Sequence, residues 1–463
     1  MKLRWLVLLI CDACLGGFAV AQSPAKQSPP EPAPARPFHL AARTHYVLQN
    51  GLHVNLLRFG SVPKVSIEID ESAGRVNEEP KQIDISAITA ELMGQGTLTQ
   101  SGDELALSAG DMGASISIAS GIYQSKFSLD VLSESATKAI ALLADVLRNP
   151  SFPATDFERL RTDHLRTCET SLADPGFLAG KKFAEVMFGD QAAGRILPTP
   201  EMLKSYSLED VRRYYKQNYG AQRTTIYVVG NFDERKVREA VDEEFGGWLR
   251  GPAPDMPVQT VTRGQHFAFV DETGATQSNV IYGIAVPDIS SPDATSIDVM
   301  NTLLGGSFGS RITANIREQH GYSYSPRSTL SQGYGSNIWS ESAAITTSST
   351  GPALKEITKE ILRLQETPPS ATEVRDIEQY KNGVFILGNS SREGVLDNLN
   401  FVDFHHLGDD YLTGYVSRVL EVTPQQIQDV ARKYLNTGAM TLVVVGDRAI
   451  AMSQLSSFVS SAN

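Results

Sequence analysis

Cysteine is scarce in this chain, which also lacks a basic excess and long apolar runs. Of its 3 cysteines, Cys11 and Cys14 lie within the first 21 residues, so only Cys168 remains beyond them and no internal disulfide is expected there. Acidic residues outnumber basic ones, 53 to 41, and the formal net charge of −12 argues against nucleic acid or an anionic membrane as partner. Beyond residue 21, no stretch approaches the roughly 18 unbroken apolar residues of a membrane span.

The remaining composition is that of a soluble globular protein with more than one domain. Hydrophobic residues make up 41% and charged residues 20% of the 463 positions. The N-terminus departs from this average, because Lys2 and Arg4 precede an apolar run and Ala19-Val20-Ala21 matches a small-x-small cleavage pattern. We therefore expect a signal peptide over 1–21, cleavage near Ala21 and a periplasmic or secreted protein.

A membrane anchor is the alternative interpretation of this N-terminus. Asp12 interrupts the apolar run, which is too short to span a bilayer comfortably, so export with cleavage is favoured. Residues 22–40 are rich in proline, alanine and serine, a composition that buries little apolar area and favours extended geometry. We interpret them as a linker between the cleavage site and the folded body.

An internal repeat organises the rest of the chain. Ser207 begins a predicted helix, and Thr224–Asn231 follows as an apolar strand. The same pattern returns at Thr423, with the matching strand at Met440–Asp447. The repeat predicts two homologous domains, 41–250 and 262–463, joined by a proline-containing linker over 251–261. Each half combines strands with long helices, which predicts an α+β fold with a mostly antiparallel sheet packed with helices.

Several short motifs, weak singly but informative in their order, connect the chain to a known family. In the first half they are Gly96-Thr97, Leu142–Pro150 and Ile226–Asn231, and in the second half Gly309–Ile312, Ile316–Glu318 and Gly321–Tyr324. With these motifs, residues 40–450 resemble the pitrilysin/insulinase zinc-peptidase family, in its short branch with the mitochondrial processing peptidase. The resemblance implies a clam-like chamber of four homologous domains. One chain supplies two of them, so a second chain is implied.

The predicted helix Ile83–Met93 lacks the residues on which the chemistry of that family depends. His-x-x-Glu-His places two histidines on one helix face around one Zn²⁺, with the glutamate as general base. At these places the chain has Ala87, Ala90 and Glu91. The family's third ligand would fall near Glu169, which we interpret as helix surface. The resemblance therefore implies that this chain holds no metal and has no catalytic residue of its own.

One functional pair of the family is retained. Active members place an arginine and a tyrosine seven positions apart, and Arg317 and Tyr324 match that spacing. A guanidinium and a phenol can hydrogen-bond a peptide backbone and an oxyanion, although a surface arginine and a packed tyrosine are the plainer interpretation. Nearby, Gly305, Gly306 and Gly309 form a loop that allows close approach of substrate or serves only as a turn.

Other candidate residues have structural interpretations. His164 and Cys168 are four apart on a predicted helix but have no third ligand, so we interpret them as structural. His405 and His406 are adjacent, point about 100° apart on a helix and are interpreted as surface or interface residues. His320 follows Arg317 closely and is a weaker candidate for substrate contact. We find no Ser-His-Asp arrangement and no phosphate-binding glycine loop.

These observations lead to one main hypothesis and two alternatives. The main one is a non-catalytic subunit of a heterodimeric zinc metallopeptidase that is inactive alone. Its homologous partner carries His-x-x-Glu-His and the zinc. This chain contributes Arg317, Tyr324 and half of the chamber wall around an extended or unfolded peptide. The alternatives are a peptide-binding, chaperone-like protein without hydrolysis and a scaffold. Retention of the arginine–tyrosine pair favours the main hypothesis, and export without a membrane span weighs against the scaffold.

Overall fold

Two mixed β-sheets, each with helices packed on it, make up the fold that the computed structural model describes over residues 38–459. The predicted signal peptide and the linker up to residue 37 lie outside the described residues. The strands are β1 (Thr44–Val47), β2 (His53–Arg58), β3 (Lys64–Glu71), β4 (Ser117–Ser120), β5 (Ser125–Leu132), β6 (Thr224–Gly230), β7 (Phe267–Asp271), β8 (Gln277–Val286), β9 (Arg327–Gly333), β10 (Ser336–Thr346) and β11 (Thr441–Gly446).

The helices lie between these strands in chain order. The first half contains α1 (Ile85–Met93), α2 (Gly102–Gly110), α3 (Ala136–Arg148), α4 (Ala154–Leu172), α5 (Pro175–Phe188), α6 (Pro200–Ser205), α7 (Leu208–Asn218) and α8 (Glu234–Phe245). The second half contains α9 (Ala294–Asn301), α10 (Arg311–Thr313), α11 (Thr350–Glu366), α12 (Ala371–Gly388), α13 (Arg392–Phe404), α14 (Asp410–Thr413), α15 (Tyr415–Leu420), α16 (Pro424–Tyr434), α17 (Arg448–Ala451) and α18 (Ser456–Val459). Two further segments, Thr302–Gly306 and Ala314–Gln319, are π-helical.

The strand order of the two sheets reveals the duplication. The first sheet runs β1-β2-β6-β3-β5-β4 and the second β7-β11-β8-β10-β9. Apart from β1, corresponding strands occupy corresponding places, and each sheet has one parallel pair, β2–β6 or β7–β11, among antiparallel neighbours. The predicted α+β fold of two similar halves, each with a mostly antiparallel sheet, is confirmed. The predicted linker 251–261 contains neither helix nor strand.

Local sequence explains why the repeated helix and strand form. Ser207 accepts a hydrogen bond from the backbone N–H of Asp210, and Thr423 accepts one from Gln426, so both helices begin with a capping box. The apolar strands β6 and β11 follow, and each lies inside its sheet with a paired strand on both sides. Before β4, which begins at Ser117, Gly113 turns the chain with φ +70°.

Each sheet buries one face against helices of its own half. In the first half, β3, β5 and β6 pack on α1, α3, α7 and α8, and the shared core includes Ile67, Phe127, Val228 and Phe245. In the second half, β8, β10 and β11 pack on α9, α11 and α16 around Trp339, whose side chain is completely buried. If each sheet were covered on this face alone, the two halves would be separate domains. The opposite face of each sheet is also covered.

The opposite face of each sheet is covered by a helix of the other half. On the first sheet, Leu57, Tyr227 and Val229 pack against α13, whose contacting residues are Val395, Leu396 and Leu399. On the second sheet, Ile338 and Val443 pack against Phe183 and Met187 of α5. Gly283 permits this approach, since a Cβ added there would lie 2.8 Å from the Phe183 ring. The two halves therefore exchange helices and share their stability.

Candidate functional site

The helix α1 contains the degenerate metal motif, and a buried carboxylate fixes its start. Glu78 accepts hydrogen bonds from the backbone N–H groups of Asp84 and Ser86, both at 3.0 Å, and from the Ser86 hydroxyl at 2.6 Å. Burial raises the pKa of Glu78 to about 7, although these hydrogen bonds oppose the shift. Asp84 adopts a left-handed conformation with φ +76°, which is uncommon for a residue other than glycine. The turn directs its carboxylate toward α4.

A histidine of α4 lies between two carboxylates at the motif position. His164 Nδ1 is 2.6 Å from Asp84 Oδ2, and its Nε2 is 3.1 Å from Glu91 Oε2. Burial alone lowers the pKa of His164, but the hydrogen bonds and charges of Asp84 and Glu91 outweigh it and raise the pKa to about 10. At neutral pH the ring is therefore an imidazolium. The chain places a cationic side chain of its own between α1 and α4.

The donor atoms present at this position do not fit zinc. Ala87 is half-buried and Ala90 is completely buried in the core, so neither position offers a ligand or a general base. Both ring nitrogens of His164 are engaged by carboxylates, which leaves no lone pair for a metal. Over residues 38–459, no group of three or more His, Cys, Asp or Glu side chains has an arrangement that could hold a metal ion.

The remaining α4 candidates face elsewhere. Glu169 is exposed on the helix surface. Cys168 is buried, donates from its Sγ to the Pro198 carbonyl oxygen at 3.3 Å, and has a pKa raised by burial. A thiol in that state packs as a small apolar side chain. His164 and Cys168 therefore do not act as a pair, and the partners of His164 come from another part of the sequence.

The stability of the protein is expected to depend on pH through His164. Because the pKa rises from 6.5 in the unfolded chain to about 10 in the fold, the contribution is complete below pH 6.5 and lost as pH rises through 10. Between these values the free energy of unfolding should fall by on the order of 5 kcal/mol. Urea unfolding of His164→Gln at several pH values should show this slope removed. An equal slope in wild type and variant would contradict the ion pair.

Two buried carboxyl groups also make the stability depend on pH, so the contribution of His164 has to be measured as a difference between wild type and variant. Burial raises the pKa of Glu71 to about 8 and that of Glu78 to about 7, so both stabilise the fold most in acid and lose that contribution as pH rises toward these values. Their slope has the same sign as that of His164. His405→Gln serves as the matched control, because burial lowers the pKa of His405 and its contribution changes only in the acidic range.

In the second half, the predicted arginine and tyrosine lie together at the surface. Arg317 is on the second π-helical segment, and Tyr324 follows the turn at Gly321, which has φ +63°. The guanidinium carbon of Arg317 lies 4.8 Å from the Tyr324 ring centroid and 4.5 Å from that of Phe308, and its Nε is 3.0 Å from Glu318 Oε1. Tyr324 is 79% exposed. The Arg317 side chain is 25% exposed, so the tyrosine is open to a ligand and the arginine is open in part.

The glycines of the neighbouring loop have different surroundings. A Cβ at Gly305 would lie 2.5 Å from Glu341 Oε2 and 2.6 Å from Ser328 Oγ, and one at Gly306 would lie 2.8 Å from Asn301 Nδ2. Gly305 thus allows the loop to pack closely on β9 and β10, and Gly306 allows it to pack on the end of α9. Gly309 has no atoms within 4 Å of an added Cβ, so it faces open space. The loop thus exposes Phe308, a residue that the motif analysis did not single out.

The other histidines line clefts or stack on aromatic rings. His320 stacks on Tyr322 with ring centroids 5.0 Å apart, and its Nε2 is 3.9 Å from Glu356 Oε2. His405 packs on Phe401 within the same helix end. His406 lines a cavity of about 700 Å³ between the two halves, whose lining also includes Arg43, Tyr334 and Asp403. None of these histidines reaches the degenerate motif through a contact that the structure describes.

The fold, the motif helix α1 and the Arg317–Tyr324 pair define a metallopeptidase-like protein whose motif helix lacks metal donors. Residues 60–200 match the family model for insulinase (peptidase family M16), and residues 205–380 match the model for the peptidase M16 inactive domain. The chain belongs to the pitrilysin/insulinase family, M16. Among the described residues, no helix is long and apolar enough to cross a membrane.

Relatives and solved structures agree with this assignment. An uncharacterised zinc protease of Mycobacterium leprae is 23% identical over 393 residues, spanning 84% of this chain and 88% of the relative. One of Streptomyces coelicolor is 24% identical over 398 residues, spanning 84% and 86%. The fold resembles a peptidase M16 inactive domain from Pseudomonas fluorescens (TM-score 0.80, 19% identity, covering 88% of this chain and 98% of that one). It also resembles a protease from Helicobacter pylori (TM-score 0.83, 17% identity, covering 88% and 100%).

Proposed function

We propose that this protein is the non-catalytic subunit of a heterodimeric zinc metallopeptidase and acts in the periplasm after export. The observation that carries the proposal is the contrast between its two positions. At the motif helix, His164 is bound by Asp84 and Glu91 where metal donors would be needed. In the second half, Arg317 lies against the ring of the exposed Tyr324 and keeps a quarter of its own side chain exposed. A chain that has lost one element of catalysis and kept the other is suited to complement a partner.

The partner of this proposal is a homologous subunit with an intact His-x-x-Glu-His motif. Its bound zinc would supply the activated water and polarise the scissile carbonyl. The residues of this chain bind and orient the peptide. Arg317 donates from its guanidinium to a backbone carbonyl, and the Tyr324 hydroxyl donates to the oxygen that becomes negative as water attacks. The chain also supplies half of the chamber wall.

Sheet edges offer a way to hold an extended peptide in that chamber. Strands β4 and β9 end their sheets and have one unpaired edge each within the described fold. A peptide that adds to such an edge forms backbone hydrogen bonds that do not depend on its side chains. This mode suits unfolded substrates of varied sequence, and it leaves selectivity to residues near the point of cleavage.

The isolated protein is expected to bind no stoichiometric zinc and to cleave no peptide. The reason is the donor set, since Ala87, Ala90 and a carboxylate-bound His164 provide neither ligands nor base. Metal analysis of the purified chain and a chelator-controlled peptidase assay provide the measurement. One tightly held Zn²⁺ per chain, or chelator-sensitive cleavage by the chain alone, would overturn the proposal.

Purification from the native periplasm tests the heterodimer itself. We expect a homologous zinc-motif subunit to co-purify with this chain and the mixture to hydrolyse peptides until chelator is added. A complex that binds unfolded peptides without hydrolysing them would support the chaperone-like alternative instead. A chain that localises to the cytoplasm would contradict the predicted export.

A further inference from the structure

The cavity of about 700 Å³ between the two halves lies where α13 stops covering the first sheet. Strands β2 and β6 present one face to α13, which packs on Leu57 and Val229. Alternate residues of a strand share a face, so His53 and Thr225 belong to this same face at the start of the two strands. The helix ends at Phe404, and both residues line the cavity. A space of this size suits a small-molecule ligand.

The second half gives the cavity an aromatic wall. His406, just after the end of α13, has a left-handed conformation with φ +54°, and Gly335 turns the chain at φ +66° between β9 and β10. Beside the second turn, the Tyr334 ring lies with its centroid 5.6 Å from that of Phe404 and 6.0 Å from that of His406. All three rings line the cavity. The halves therefore contribute different chemistry, aromatic rings from the second and polar strand ends from the first.

A buried guanidinium also lines the cavity, and the fold leaves it partly unsatisfied. Arg223 directly precedes β6 and is only 4% exposed. Its Nε donates to the Ser72 carbonyl oxygen at 2.9 Å, and its Nη1 donates to that of Ala253 at 3.3 Å. Within residues 38–459, its Nη2 has no hydrogen-bond partner. A buried donor without an acceptor destabilises a fold, so a ligand that supplies one is favoured here.

The positive charge of Arg223 is poorly offset by its own chain. Glu71 and Asp255 are the acidic side chains whose charges act on it. Burial raises the pKa of Glu71 to about 8, so this carboxyl group is mostly protonated at neutral pH. Asp255 is exposed on the linker, where solvent screens its charge. Because a guanidinium keeps its proton in proteins, a buried positive charge remains beside the cavity.

The other arginine of the cavity wall has its partners within the fold. Arg43 Nη1 is 2.8 Å from Asp403 Oδ1, and Arg43 Nη2 is 2.9 Å from Asp409 Oδ1. Asp403 also accepts a hydrogen bond from the Tyr227 hydroxyl at 2.9 Å. These groups offset one another and hold the end of α13 on the first sheet. Of the two arginines that the structure places in this wall, Arg223 is the one suited to an external anion.

We propose that this cavity binds a small organic anion, with its carboxylate or phosphate group at Arg223 and an apolar or aromatic body against Tyr334 and Phe404. The anion supplies the acceptor and the negative charge that Arg223 lacks, and the rings take up the body of the ligand. The lining residues include neither the degenerate motif nor Arg317 and Tyr324, so this site is separate from the proposed peptide site. Because both halves line the cavity, a bound ligand stabilises their association.

Ligand binding by the isolated full chain tests this inference. The probes are phenylacetate, phenyl phosphate and the neutral phenylacetamide, with dissociation constants from isothermal titration calorimetry. The wild type should bind at least one of the two anions about tenfold more tightly than phenylacetamide, because a charge-assisted hydrogen bond is lost in the amide. The anion that binds more tightly identifies the ligand group as a carboxylate or a phosphate. If neither anion binds more tightly than phenylacetamide, the inference is wrong.

Two variants and a control locate the site. Arg223→Gln should lower the affinity for the preferred anion about tenfold, to that of phenylacetamide. Thr225→Phe places a ring in the cavity and should weaken anion binding at least tenfold while it keeps Arg223, so it carries the test if circular dichroism shows that Arg223→Gln does not fold. Arg235→Gln changes an arginine on α8 that is 71% exposed and should leave the affinities unchanged.

The outcome is independent of the proposed function, since the experiment needs neither a partner subunit nor hydrolysis. Anion binding that is unchanged in Thr225→Phe would show that the anion binds elsewhere and would overturn the inference. An equal loss of binding in Arg235→Gln would do the same, because it would indicate a general effect of surface charge.

Discussion

Arg317→Ala and Tyr324→Phe are each expected to lower hydrolysis by the mixed complex about 10²-fold or more while assembly is unchanged. The magnitude is that of removing one preorganised donor from a developing oxyanion. Tyr324→Phe removes a single hydroxyl from a side chain that is 79% exposed, so it should not disturb the fold. The measurements are kcat and KM of the complex, with size-exclusion chromatography to verify assembly.

The two substitutions should differ in which kinetic constant they change. Tyr324→Phe should lower kcat with little change in KM, because an oxyanion contact exists only in the transition state. Arg317→Ala should also raise KM, because a backbone carbonyl is bound in the ground state as well. Arg317→Lys keeps the charge but loses the planar fork and should restore activity only in part.

Two control variants show whether a loss of activity is specific to the proposed site. Tyr380→Phe removes a hydroxyl from another surface tyrosine, 50% exposed on α12, and should cleave at the normal rate. Arg235→Ala removes the side chain of a surface arginine that pairs with Glu239 on α8, and this variant should also cleave at the normal rate. If both site variants also cleave normally, the roles assigned to Arg317 and Tyr324 are wrong, whatever the partner is.

The duplicated architecture was accessible from the sequence because its signals are local. A capped helix followed by an apolar strand depends on residues within a few positions of each other, as at Ser207 and again at Thr423. The exchange of helices between the halves was not accessible. Apolar periodicity indicates that Phe183 and Leu399 are buried, but it does not indicate which sheet buries them.

The candidate site, too, was predictable from the sequence only in part. The loss of the catalytic motif is visible in three positions of the sequence, since Ala87 and Glu91 replace the two histidines and Ala90 replaces the glutamate. The ion pairs of His164 are not, because Asp84 and Glu91 lie on another segment, and helical spacing suggested Cys168 as its companion instead. Phe308 gave no signal either, because the identity of a single aromatic residue does not indicate that its side chain is exposed.

Leu399→Ala is expected to destabilise both halves of the protein together, by about 2–5 kcal/mol. The side chain is completely buried, and it belongs to α13 of the second half while packing on the first sheet. Truncation leaves a cavity between the halves, and each half relies on a helix from the other. Leu420→Ala, at a site 45% exposed, should stay within about 0.5 kcal/mol of wild type.

Two tryptophans make the coupling of the halves measurable. Trp248 lies in the core of the first half and Trp339 in that of the second, so Trp248→Phe and Trp339→Phe each leave one core reporter in a chain begun at residue 22. Because Leu57 and Val229 of one half and Val443 of the other are all covered by exchanged helices, urea unfolding should give coincident transitions for the two reporters. Adding Leu399→Ala should lower both midpoints equally. Separate transitions, or a shift seen by one tryptophan alone, would mean that the two halves are stable independently. The proposed chamber wall would then be a flexible pair of domains rather than one unit.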